Sequence, residues 1–113
     1  MSHTDFSIKQ SNRRPYLRVT LKDENDVVVN VTTANAVLFS MEARDIVTPK
    51  IARAAATVVD AVNGVVEYRW TAADTDTEGI YFGEFVVDWD GIDDEITFPN
   101  DGYIAIEVKE KVN

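Results

Sequence analysis

The 113-residue sequence contains no cysteine. Disulfides, thiolate metal ligands and cysteine nucleophiles are therefore excluded. It contains one histidine, His3, close to a chain terminus. Most histidine-based catalysis and zinc chemistry is ruled out with it. Long apolar runs are missing too. Stretches such as Ala36-Val37-Leu38-Phe39 fall far short of the ~20 apolar residues that a membrane-spanning helix needs. Residues 1–9 lack the apolar stretch of a secretory signal, so folding in a cytoplasm is expected, with no membrane partner. No glycine-rich phosphate loop, metal triad or serine elbow is present. The expectation is a protein without catalytic residues, cofactor or metal.

What the sequence has in excess is acid: 20 Asp and Glu against 11 Lys and Arg, a net charge of −9. Such a surface repels nucleic acid phosphates, so no nucleic acid partner is expected. The charge is uneven. Residues 1–22 carry Lys9, Arg13, Arg14, Arg18 and Lys22 against Asp5 alone, whereas residues 74–95 hold nine acids and no Lys or Arg. Unlike patches on one chain suit contacts with partners or between copies. Arg13, Arg14, Arg18 and the neighbouring Tyr16 are the candidate partner contacts.

Periodicity is two almost throughout, the mark of half-buried strands. Leu17, Val19 and Leu21 alternate with polar residues, as do Val37, Phe39 and Met41. Val27-Val28-Val29 reads as a short strand after the turn at Asp23-Glu24-Asn25-Asp26. Residues 44–53, with Pro49 and three basic residues, read as a loop or irregular edge. No helix carries a cap signal. Asn63-Gly64 favours a type I′ two-residue hairpin turn. That turn pairs Val62 with Val65, Ala61 with Val66, Val59 with Tyr68 and Thr57 with Trp70. Val59, Ala61, Val66, Tyr68 and Trp70 then face a core, and Val58, Asp60, Glu67 and Arg69 face solvent or a partner. Tyr81, Phe85, Val87 and Trp89 share one face of a later strand, with Gly83 leaving room for a close neighbour. A turn at Asp90-Gly91-Ile92-Asp93-Asp94, a strand over 95–98 and a last strand with Ile104, Ile106 and Val108 inward complete the chain. These features predict an all-β fold: an immunoglobulin-like antiparallel β-sandwich of about seven to eight strands. The sandwich covers 15–113, and residues 1–14 form an arm and first strand, partly mobile, that orders on docking.

Three constellations bear on chemistry. Gly79 two residues before Tyr81 suits a tyrosine corner, in which the hydroxyl binds backbone upstream; its role is stability. Asp74 and Asp76, with Asp90 or Asp93, imitate part of a calcium loop, but position twelve from Asp74 is Phe85, where an EF-hand requires Glu. Tyr16, Trp89 and Tyr103 would serve a sugar-binding platform if exposed in one patch.

Several segments together resemble small proteins of tailed bacteriophages. They include Pro15-Tyr16-Leu17-Arg18-Val19-Thr20-Leu21-Lys22-Asp23 and the Asn63-Gly64 hairpin ending at Trp70. Asp74-Thr75-Asp76-Thr77-Glu78-Gly79-Ile80-Tyr81 and Phe98-Pro99-Asn100-Asp101-Gly102-Tyr103 are the most specific. The layout is similar to the immunoglobulin-like N-terminal domain of the phage baseplate upper protein family, over about residues 8–109. That family carries further regions after this domain, so no receptor-binding role is carried over. The resemblance implies a virion component made in the host cytoplasm. It would dock on tail, baseplate, neck or capsid proteins, in several copies or as a homo-oligomer. A carbohydrate- or cell-surface-binding display module is the alternative. A bacterial immunoglobulin-like domain unrelated to phage is a third reading.

Overall fold

The computed structural model describes residues 5–44, 49–91, 94–99 and 102–112. His3, Asp93, and Asn100 and Asp101 of the late turn lie outside the described residues. Nine strands are described: β1 (Phe6–Lys9), β2 (Leu17–Thr20), β3 (Ala36–Ala43), β4 (Pro49–Ala55), β5 (Thr57–Asp60), β6 (Val65–Tyr68), β7 (Gly79–Asp88), β8 (Glu95–Phe98) and β9 (Ile104–Lys109). The large sheet runs β1-β9-β7-β3-β4, with β8 also paired to β7; the small sheet runs β2-β6-β5. The two sheets pack as a sandwich, consistent with the immunoglobulin-like architecture expected.

Alternation explains which residues fill the space between the sheets. Leu17 and Leu21 come from the β2 side, Val66, Tyr68 and Trp70 from the β6 side, and Val37, Phe39 and Met41 from β3. Tyr81, Phe85 and Val87 descend from β7, and Ile106 and Val108 from β9; all are buried. Phe39 sits at the centre. Its ring stacks on Tyr68 at 4.7 Å, meets Trp70 edge-on at 5.9 Å and lies 4.9 Å from Phe85. Such aromatic pairs stabilise beyond the area they bury.

The strands differ from the expectations in places. Within the arm and first strand expected over 1–14, Phe6–Lys9 is a strand that pairs in parallel with β9; Ile8 is buried, and Phe6 stacks on Trp70 at 5.8 Å. The loop or irregular edge expected over 44–53 is an edge over its second half: Pro49–Ala55 form edge strand β4, whose register shifts against β3 near Arg53, itself at φ 49°. Residues 27–29 make only an isolated bridge, Lys22 to Val28. The one helical element among the described residues is a 3-10 turn, Ala72–Thr75.

The expected hairpin register is corrected as well. Val65 pairs with Asp60, Val66 with Val58 and Glu67 with Thr57, leaving a four-residue loop. A type I′ turn needs positive φ at both central residues, and here only Gly64, at 68°, has it. The cause is Asp60, whose carboxylate accepts from the Asn63 backbone N–H (3.3 Å) and amide (2.8 Å). That side-chain grip favours a wider loop closed by a left-handed glycine. A bulge between Val58 and Asp60 absorbs the slip, and Val58 and Val59 both end up exposed.

Gly83 has a packing reason. A Cβ there would lie 2.8 Å from Ile106 Cδ1 and 3.0 Å from the Phe39 ring. Gly83→Ala should therefore destabilise the fold by about 1–3 kcal/mol, the usual cost of overpacking a core. Urea unfolding measures it, with an unchanged midpoint as the contrary result.

Candidate functional site

Arg18 on β2 and Glu67 on β6 are register partners on the outer face of the small sheet. Arg69 follows two residues later and projects to the same side. The Glu67 carboxylate accepts from Arg18 Nε and Nη2 at 3.1 and 2.8 Å, and from Arg69 Nε at 2.9 Å. Its side chain is only 2% exposed, while those of Arg18 and Arg69 remain 60% and 57% exposed. Glu67 is expected to face solvent or a partner, and its carboxylate is not open to solvent. It lies on the outer face as its parity requires, but two guanidiniums cover it. Arginine beside it holds the Glu67 carboxyl below the usual glutamate range: the Arg18 hydrogen bonds act first, then that of Arg69.

The row of cations continues. The Arg69 guanidinium lies 5.4 Å from the centre of the Tyr16 ring, and that of Arg14 lies 5.6 Å from it. Both are within cation–π range. Tyr16 is half-buried among them. Beneath it, Trp70 is buried and its indole N–H donates to the Pro15 carbonyl at 3.1 Å. That bond fixes the residues on either side of Pro15 against the end of β6. The outcome is a groove of about 600 Å³ lined by Asn12, Arg13, Arg14, Tyr16, Arg69 and Trp70. All four candidate contact residues lie on or beside it, Arg18 through Glu67. Sequence reasoning missed Arg69 and Glu67 as members. The signal was there: both fall on the outward parity of β6, opposite Arg18.

Chemically this is a surface for anions. Each guanidinium has five N–H donors in a planar fork that matches carboxylate and phosphate. Arg18 and Arg69 spend only some of theirs on Glu67.

The other constellations have different roles. The Tyr81 hydroxyl donates to the Thr77 carbonyl at 2.6 Å, closing a corner four residues long, with Gly79 at φ 149° inside it. Only glycine adopts that backbone freely. Burial raises the Tyr81 hydroxyl above its ordinary range. Asp74 accepts from Tyr68 Oη at 2.7 Å and from the Thr71 N–H at 2.8 Å. Burial first, and Asp74 second, push the Tyr68 hydroxyl up. Asp76 pairs with Lys50, which lowers its carboxyl. These acids serve local bonds, and among the described residues no group of three or more potential ligands converges on a metal position. No helix among the described residues is long and apolar enough to cross a membrane.

The aromatics named as a sugar platform are dispersed. Tyr16 lines the arginine groove, Tyr103 stacks on Phe82 of β7 at 4.8 Å, and Trp89 packs against the core just after β7.

Glu67→Gln should loosen the row of arginines and remove one acid-sensitive contribution to stability. The folded-state pKa lies below the unfolded one, so the unfolded chain binds the proton first. The contribution is present above the unfolded pKa and is lost as pH falls through the folded one. Denaturant titrations from pH 7 down through the glutamate range should show wild type losing more stability than Glu67→Gln. Parallel pH profiles would contradict this.

No family model matches the chain, and no curated protein matches it.

Proposed function

We propose that this chain is a non-enzymatic structural component of a tailed-phage particle. In this reading it is an immunoglobulin-like module that docks on neighbouring tail, baseplate, neck or capsid proteins. The observation that carries the reading is the arginine row on the outer face of the small sheet. Arg18 and Arg69 share one carboxylate, Glu67, and Arg13 and Arg14 line the adjoining groove, on a chain of net charge −9. Clustered cations repel one another, and an acidic neighbour relieves that repulsion while it fixes register and speeds encounter. The groove is open and lined by guanidiniums and aromatic rings, a composition typical of protein interfaces. The resemblance to the baseplate upper protein domain supplies the particle context.

The display-module alternative asks for exposed aromatics in one patch. Tyr16, Trp89 and Tyr103 occupy three separate places, which favours protein docking over sugar stacking.

Particle incorporation is the direct test. Mass spectrometry of virions purified from a lysate of the host that carries the gene should detect the chain at structural copy number. An Arg13→Ala/Arg14→Ala variant, equally well folded, should be incorporated at several-fold lower level. Absence of the wild-type chain from purified particles would remove the reading.

A further inference from the structure

We propose that the acidic partner of the arginine row is a second copy of this chain, received on the outer face of its large sheet. The inference deepens the docking reading and rests on the arginine surface being an interface. On β7, Phe82 points outward and stacks on Tyr103, with ring planes 16° apart. Tyr103 is 57% exposed. Glu42 of β3 is the register partner of Phe82, and Glu84 follows two residues along β7 on the same face. Ser40, Glu42, Pro49, Phe82 and Glu84 line a shallow hollow of about 120 Å³. Among the described residues neither glutamate has an ion-pair partner.

The two patches share one plan with opposite sign. On the small sheet an aromatic ring, Tyr16, is bordered by Arg14 and Arg69. On the large sheet an aromatic pair, Phe82 and Tyr103, is bordered by Glu42 and Glu84. Aromatic centres with charged rims are the usual anatomy of an interface. Guanidinium–carboxylate pairs add geometric specificity.

The patches lie on opposite outer faces of the sandwich, since Arg18 and Glu67 face away from the core on one sheet and Glu42 and Phe82 on the other. A copy that offers its arginines to a neighbour therefore keeps its glutamates free for the next. The contact is head-to-tail and propagates to a ring or an open stack, not a two-fold dimer.

Sedimentation velocity on the full chain tests this. Wild type should form species larger than dimers. Its Kd should rise at least tenfold as salt goes from about 0.1 M to about 1 M, where the screening length falls from about 10 Å to about 3 Å. Arg13→Ala/Arg14→Ala and Glu42→Gln/Glu84→Gln should each be monomeric. Mixed in equal amounts, they should form a complex that stops at two chains, because only one intact pair of faces remains. The salt series on the unaltered chain tests the same contact without any substitution. A monomeric wild type, variants that assemble like wild type, or a mixture that fails to pair would each overturn the inference. A chain that is monomeric yet present in particles loses self-docking alone. A chain that self-associates yet is absent from particles loses the phage reading alone.

Discussion

The contact of Phe39 with Tyr68 and Trp70 holds the two sheets together. Phe39 belongs to β3 of the large sheet, while Tyr68 ends β6 of the small one and Trp70 follows it. Without disulfides, the sandwich relies on apolar burial, and these rings supply the largest share of it per residue. Tyr68 and Trp70 also carry a polar end that reaches out of the core. The Tyr68 hydroxyl binds Asp74, and the Trp70 indole binds the Pro15 carbonyl. The core thereby fixes two surface segments as it forms. One is the 3-10 turn leading to the Tyr81 corner. The other carries Arg13, Arg14 and Tyr16. The arginine groove is thus a by-product of how the central tryptophan satisfies its one donor.

Charge is arranged against the average. A chain of net charge −9 keeps four arginines close together, and two of them share one covered carboxylate. Surface ion pairs of this kind contribute little to stability as a class. Two guanidiniums on one glutamate leave an excess of donors. A purely structural ion pair would balance the charges; an interface profits from the imbalance.

Much of this was legible from residue order. The alternation in 17–21, 37–41 and 80–89 identified β2, β3 and β7 and their inward faces, because each strand repeats its pattern over several residues. The Tyr81–Thr77 bond was legible because its partners are four residues apart. What failed depended on distant neighbours or on one side chain. A first strand is expected within 1–14, but not its bounds or its partner: β1 is four residues long and pairs with β9 at the far end of the sequence. β4 begins with proline and carries Arg53 in a left-handed conformation, so its pattern is broken. The hairpin register turned on Asp60, whose carboxylate overrode the turn preference of Asn63-Gly64. Glu67 had the right parity, but nothing local announced that Arg18, 49 positions away, would cover it.

Parity also explains why the core and the proposed docking surface are inseparable in this fold. Arg18 stands between Leu17 and Val19, and Glu67 between Val66 and Tyr68. Whatever places the apolar residues inward places the charges outward, because strand side chains alternate. A slip of one residue between β2 and β6 would bury Arg18 and expose Leu17, which the core cannot tolerate. The arginine row is therefore held in position by the same burial that stabilises the sandwich. On the other sheet, Phe39 and Met41 inward oblige Glu42 outward, and Phe85 inward obliges Glu84 outward. One hydrophobic core, read from its two sides, fixes a basic face and an acidic face whose separation the molecule cannot alter without unfolding.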